Sequence, residues 1–103
     1  MPNLNYRKGA SFEGRFIAKL IKNEDAVKAG RFFASKGITD VWWVDIEGVH
    51  NEAQLKFSSI KKPYISPHEF EDLQRFARRM KKYMKIWLIK KQSHKPIVMK
   101  LLS

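Results

Sequence analysis

The chain contains no cysteine, which excludes a disulfide framework and a thiolate zinc site. Its histidines, His50, His68 and His94, lack zinc-ligand spacing and are expected at the surface or in turns. No apolar run approaches the roughly 18 residues that span a bilayer, and no signal-peptide pattern opens the sequence. A membrane partner is therefore not expected, and an intracellular location is. Acidic residues are also scarce, with 10 Asp and Glu against 21 Lys and Arg, a formal net charge of +11. At 44% hydrophobic and 13% aromatic, the chain is too apolar for a disordered basic tail. It reads as one small globular domain, without internal repeats, whose leading partner is a polyanion such as nucleic acid.

Residues 1–9 are polar and basic and read as an arm that includes Arg7 and Lys8. Ser11 is suited to cap a helix over residues 12–22 with an apolar stripe of Phe12, Phe16, Ile17, Leu20 and Ile21. A weak strand is expected near residues 28–34, disfavoured by Gly30, before the turn Ser35-Lys36-Gly37. Asp40 then opens Val41-Trp42-Trp43-Val44, a run of strong strand preference. Trp42 and Trp43 point to opposite faces, so at least one is expected in the core. Glu47-Gly48 makes the turn into a second strand over residues 49–57. Its period of two sets His50, Glu52, Gln54 and Lys56 on one face and Asn51, Ala53, Leu55 and Phe57 on the other.

A basic connector over residues 58–65 carries Lys61 and Lys62. Ser66-Pro67-His68-Glu69 is a capping box with proline at the first helical position. The helix it opens extends to about Lys82, with Phe70, Leu73, Phe76, Ala77 and Met80 facing inward. Arg75, Arg78, Arg79, Lys81 and Lys82 crowd its second half. Strands over residues 85–91 and 96–102 close the chain. The order α-β-β-β-α-β-β predicts a mixed α/β (α+β) fold, a central five-stranded mixed sheet flanked by helices.

One acidic residue beside a polar strand carries the chemical information. Cutting a phosphodiester requires an activated water and stabilised charge on phosphate and leaving oxygen, which a divalent cation on hard oxygen ligands provides. Asp40 is the first expected ligand, with the Gln54 amide oxygen and the Leu55 backbone carbonyl as further ligands. Lys56 is placed to orient the attacking water or to stabilise the phosphorus centre. Glu13, on the first helix, is a further carboxylate, acting directly or through a water. Glu52, two residues before Gln54, is either a hairpin surface residue or a substitute carboxylate about 7 Å along the strand.

On these residues the chain resembles the archaeal and viral Holliday junction resolvases of the restriction-endonuclease-like superfamily. Tyr6-Arg7-Lys8-Gly9-Ala10 followed by Glu13 is similar to that family's basic opening and first acidic residue. Arg31, Ala34-Ser35-Lys36-Gly37 and Asp40 resemble its arginine, serine-bearing turn and metal-binding aspartate. Gln54-x-Lys56 falls where the family has Glu-x-Lys, and residues 71–79 with the following Lys-Ile-Trp-Leu-Ile-Lys strand resemble its second helix and fourth strand. The resemblance implies a restriction-endonuclease-like fold and a homodimer that nicks opposing strands of a four-way DNA junction. Magnesium would be its cofactor, manganese an alternative, with no organic cofactor. Its site would comprise Glu13, Ser35, Asp40, Gln54 and Lys56. Arg7, Lys8, Arg31, Lys36, Lys61 and Lys62 would contact DNA phosphates.

The glutamine is the one departure. It carries no charge, so metal binding should be weaker than in the family pattern. Two other readings therefore stand beside the resolvase: a nuclease of the same fold acting on flaps or duplex, and a basic DNA-binding protein with weak or lost catalysis.

Overall fold

Strict alternation along β3 (His50–Ser58) organises the molecule, because Asn51, Ala53 and Leu55 are buried while their neighbours are half-buried. The computed structural model describes residues 4–32 and 38–103, with residues 4–11 as backbone alone. Five strands lie in the spatial order β1-β2-β3-β4-β5, with β1 Ala26–Arg31, β2 Val41–Asp45, β4 Lys85–Gln92 and β5 Val98–Leu101. All neighbours are antiparallel except β3 and β4, which are parallel and joined through α2 (Pro67–Met80). A parallel pair needs such a crossover, and the crossover lays α2 across one face of the sheet.

Helix α1 (Leu4–Lys22) covers the other face. Phe12 and Phe16 pack there with Val41, Trp43, Ala53, Leu55 and Ile89. On the α2 face, Leu73 and Ala77 close over Ile86 and Leu88, with Phe70, Phe76 and Met80 against them. The alternation in β4 thus feeds both cores, which is why its apolar run is nearly continuous. Burial of these side chains at about 25 cal/mol per Å² supplies the main stabilising free energy.

The predicted mixed five-stranded sheet with flanking helices is therefore observed. Some boundaries differ. α1 begins at Leu4 rather than at a Ser11 cap, so residues 4–9, expected as an arm, form its opening turns. Ile21 leaves the stripe and is 44% exposed, because α1 ends one residue later at the edge of the core. β1 starts and stops earlier than expected, and α2 ends at Met80, where Tyr83 and Met84 both donate to the Met80 carbonyl.

Gly30 belongs inside β1 because it faces Trp42 in register. A Cβ there would lie 2.8 Å from three atoms of the indole. The missing side chain is what lets that ring lie flat on the strand. Trp42 also stacks on His50 at 6.0 Å, whereas Trp43 is buried against Phe16.

Candidate active site

Strand β2 pairs with β3 only as far as Val41 opposite Ala53, while β3 runs on to Ser58 beside β4. Beyond Ala53, one edge of β3 has no strand partner among the described residues. Asp40 stands at this fork. Its backbone N–H donates to the Ala53 carbonyl at 2.8 Å, and its carboxylate then takes the place of the missing strand. Oδ2 accepts from the Leu55 N–H at 2.8 Å and, at a long 3.5 Å, from the Gln54 amide nitrogen. In an extended strand a residue's N–H and C=O point to the same side, so the Leu55 carbonyl faces this open edge too.

Burial raises the Asp40 pKa; the Leu55 N–H and the Lys56 charge oppose that rise, and the charge of Glu69 adds to it. The protein thus holds a desolvated carboxylate where it costs stability. Oδ1 takes no hydrogen bond from the described residues. A site of this kind suits a hard cation that is content with one or two carboxylates, a carbonyl, water and substrate phosphate. Among the described residues no three or more His, Cys, Asp or Glu side chains gather into a metal-binding group, so any cation site here is sparse.

The fork admits groups from both faces. From the α2 face come Gln54 and Lys56, in register with Leu88 and Lys90. From α1 comes Glu13, whose pKa is raised by burial first and by the charge of Asp40 second, against the pull of Arg31. Glu13 is held by the Arg31 guanidinium at 3.1 Å. Arg31, expected at DNA, is thus an exposed cation already paired at the edge of the site. Lys61 and Lys62 are exposed in the connector that leaves the end of β3. The side chains of Arg7 and Lys8, and all of Ser35 and Lys36, lie outside the described residues.

Two carboxylates are placed differently from what periodicity alone suggests. Glu52 shares the Gln54 and Lys56 face, but Thr39 Oγ1 donates to one of its oxygens at 2.7 Å and His50 Nε2 lies 3.1 Å from the other. It is engaged beside the hairpin. Glu69 was legible only as the third residue of a capping box. In the fold its Oε2 receives the Lys56 ammonium at 2.6 Å, while Ser66 Oγ donates to Oε1 at 3.2 Å. The Lys56 hydrogen bond is the largest influence holding the Glu69 pKa below its ordinary value; burial, the next largest, opposes it, and the Lys56 charge and Ser66 add to the lowering. The capping box fixed where Glu69 sits along α2, but only the docking of α2 on β3 and β4 brings it to Lys56.

A five-stranded mixed sheet with a helix on each face is the fold class that this chain shares with a solved Holliday junction resolvase. In particular, the chain superposes on the 1.6 Å structure of Hjc, a Holliday junction resolvase from the archaeal hyperthermophile Archaeoglobus fulgidus. The TM-score is 0.70 at 21% identity, over 92% of this chain and 73% of that one. The predicted resemblance is thus borne out at the level of the fold. No family model and no curated protein matches the sequence.

Proposed function

We propose that this protein is a divalent-metal-dependent endonuclease that resolves four-way DNA junctions as a homodimer inside the cell. The observation that carries this reading is the half-buried Asp40 carboxylate at the open edge of β3, next to Leu55 and Lys56, in a fold shared with an archaeal resolvase. Asp40, the Leu55 carbonyl and the Gln54 amide oxygen would hold the cation, magnesium or manganese, with Glu13 joining directly or through a water. Gln54 must turn its amide to offer oxygen instead of the nitrogen now facing Asp40. When bound, the cation supplies an activated water and neutralises phosphate charge.

The remaining work falls to the chain's own groups. Lys56 presents an ammonium beside the scissile phosphate and stabilises the charge that builds on its oxygens. Asp40 is aimed into the site, because the Leu55 N–H fixes one of its oxygens. Ser35, a little before β2 in the chain, would support the phosphate. Arg7, Lys8, Arg31, Lys36, Lys61 and Lys62 hold the DNA backbone, and each neutralised phosphate adds about 0.9 to the log–log salt slope of binding. No helix among the described residues is long and apolar enough to cross a membrane.

The test is cleavage of a fixed four-way junction in magnesium or manganese. The proposal expects paired nicks in opposing strands that Asp40→Asn and Lys56→Ala abolish while junction binding survives. Equal cutting of linear duplex would instead make the protein a less selective nuclease. Tight binding without cutting under either metal would make it a DNA-binding relative whose Gln54 marks lost catalysis.

A further inference from the structure

The proposed nuclease has one charge too few on its strand, and the structure contains a carboxylate positioned to restore it. Gln54 occupies the strand position beside Asp40 and Lys56, yet its amide contributes no charge. Lys56 does not lack an anionic partner. Glu69, reaching over from α2, meets its ammonium at 2.6 Å. Glu69 is also unusually constrained for a side chain that is 47% exposed. Its second oxygen receives the Ser66 hydroxyl, and Ser66 Oγ in turn accepts from the Glu69 N–H at 3.1 Å. Both ends of the carboxylate are therefore fixed before any ligand arrives.

An exposed ion pair of this kind contributes only about 0–1 kcal/mol to stability. Its position makes it more informative than its energy. Lys56 is the polar strand residue next to the Asp40–Leu55 hydrogen bond, and the negative charge of Glu69 is felt at Asp40 itself. Glu52, the alternative source of charge, is committed to Thr39 and His50. Glu13 is committed to Arg31.

We infer that Glu69 is the positioning residue of this site: from the first turn of α2 it supplies the negative charge absent at Gln54, orients the Lys56 ammonium and strengthens cation binding at Asp40. This rests on the metal-dependent reading above. It goes further by moving one functional carboxylate from the strand to the helix. The substitution is physically inexpensive, because an N3 glutamate in a capping box already reaches back to the helix start, and the docking of α2 sets that start beside Lys56.

Glutamine also serves at N3 of a capping box, so Glu69→Gln removes the charge while keeping the helix start. The experiment titrates DNA-free protein with Mn²⁺ by electron paramagnetic resonance, with thermal unfolding as the control for folding. Wild type, Asp40→Asn, Glu69→Gln and the double variant Gln54→Glu/Glu69→Gln are compared. Glu69→Gln should weaken Mn²⁺ binding about 10-fold or more, as loss of an outer-shell partner does. Its melting temperature should stay within a degree or two of wild type, and the double variant should regain most of the affinity. Junction cleavage should follow the same order. Unchanged Mn²⁺ affinity in Glu69→Gln overturns the inference, and so does a double variant that stays weak. If Asp40→Asn loses Mn²⁺ while Glu69→Gln keeps it, the nuclease reading stands and only the role of Glu69 falls. A wild type that binds no Mn²⁺ overturns both.

Discussion

Asp40 and Asp45 flank the same short strand, and β3 treats them in opposite ways. At the hairpin end β3 is paired on both sides, with β2 and with β4. Asp45 there accepts from the N–H groups of Glu47 and Val49 at 3.0 Å and from the Asn51 amide at 3.2 Å. Burial pushes its pKa up, but these hydrogen bonds and the Lys85 charge outweigh that and hold it below the ordinary value. The buried Asn51 is satisfied in turn, since it also donates to the Val49 carbonyl and accepts the Trp87 indole N–H at 2.8 Å. At the other end, among the described residues, Asp40 has one strong donor, a raised pKa and an unpaired strand edge before it. One aspartate stabilises the fold. The other is a stability cost, of the kind proteins retain where a charge has work to do.

The sharpest way to break this comparison is to neutralise each acid. Asp40→Asn should lower junction cleavage by on the order of 10³-fold or more, because several kcal/mol of transition-state stabilisation depend on a metal ligand. The same variant should unfold no more easily than wild type in a thermal melt. A cleaving Asp40→Asn protein would remove Asp40 from the site. Asp45→Ala should do the reverse, losing about 2–3 kcal/mol in urea titration with cleavage per folded molecule preserved. Should both aspartates affect activity alike, the division between the two ends of β2 is wrong.

A smaller effect separates packing from polarity in the hairpin network. Asn51→Leu keeps volume but strands the Trp87 indole N–H and one Asp45 oxygen, so a loss of about 1–3 kcal/mol is expected. If Asn51→Leu is as stable as wild type, the network is incidental to the fold. Gly30→Ala should cost about 1–3 kcal/mol for its clash with Trp42, read as a lower denaturation midpoint and a changed tryptophan fluorescence.

The smallest effect lies in pH. Asp45 is depressed in the folded state, so its stabilising contribution is full above its unfolded value near 3.9 and is lost as pH falls through the lower folded value. Asp40 is raised, so its cost is absent below the unfolded value and complete only above the raised folded one. Between pH 3 and 7 the stability difference between wild type and Asp45→Asn should therefore grow with pH. The difference between wild type and Asp40→Asn should move the opposite way. Urea titrations across that range test both slopes.

Much of the molecule was legible one residue at a time. Alternation in residues 50–57 assigned those β3 side chains to their observed faces, since a strand of period two leaves no other choice once one face is apolar; Ser58, expected in the connector, extends the strand by one residue. Ser66, Pro67 and Glu69 placed the start of α2, because unpaired N–H groups at a helix start select those residues locally. The arm expected before Ser11 was not legible as helix, because its polar residues carry no apolar stripe to announce one.

The sequence by itself determined the charge, the strands and the grouping of Gln54 and Lys56 on one face, for these follow from composition and local periodicity. Only the tertiary structure decided where β2 stops pairing with β3, which puts the Asp40 carboxylate on the Leu55 N–H. It also decided that Glu52 turns to Thr39, Glu13 to Arg31 and Glu69 to Lys56. These pairs join residues 13 to 18 positions apart in the chain. Their meeting depends on how the helices and the residues before β2 dock on the sheet, and no local periodicity encodes that.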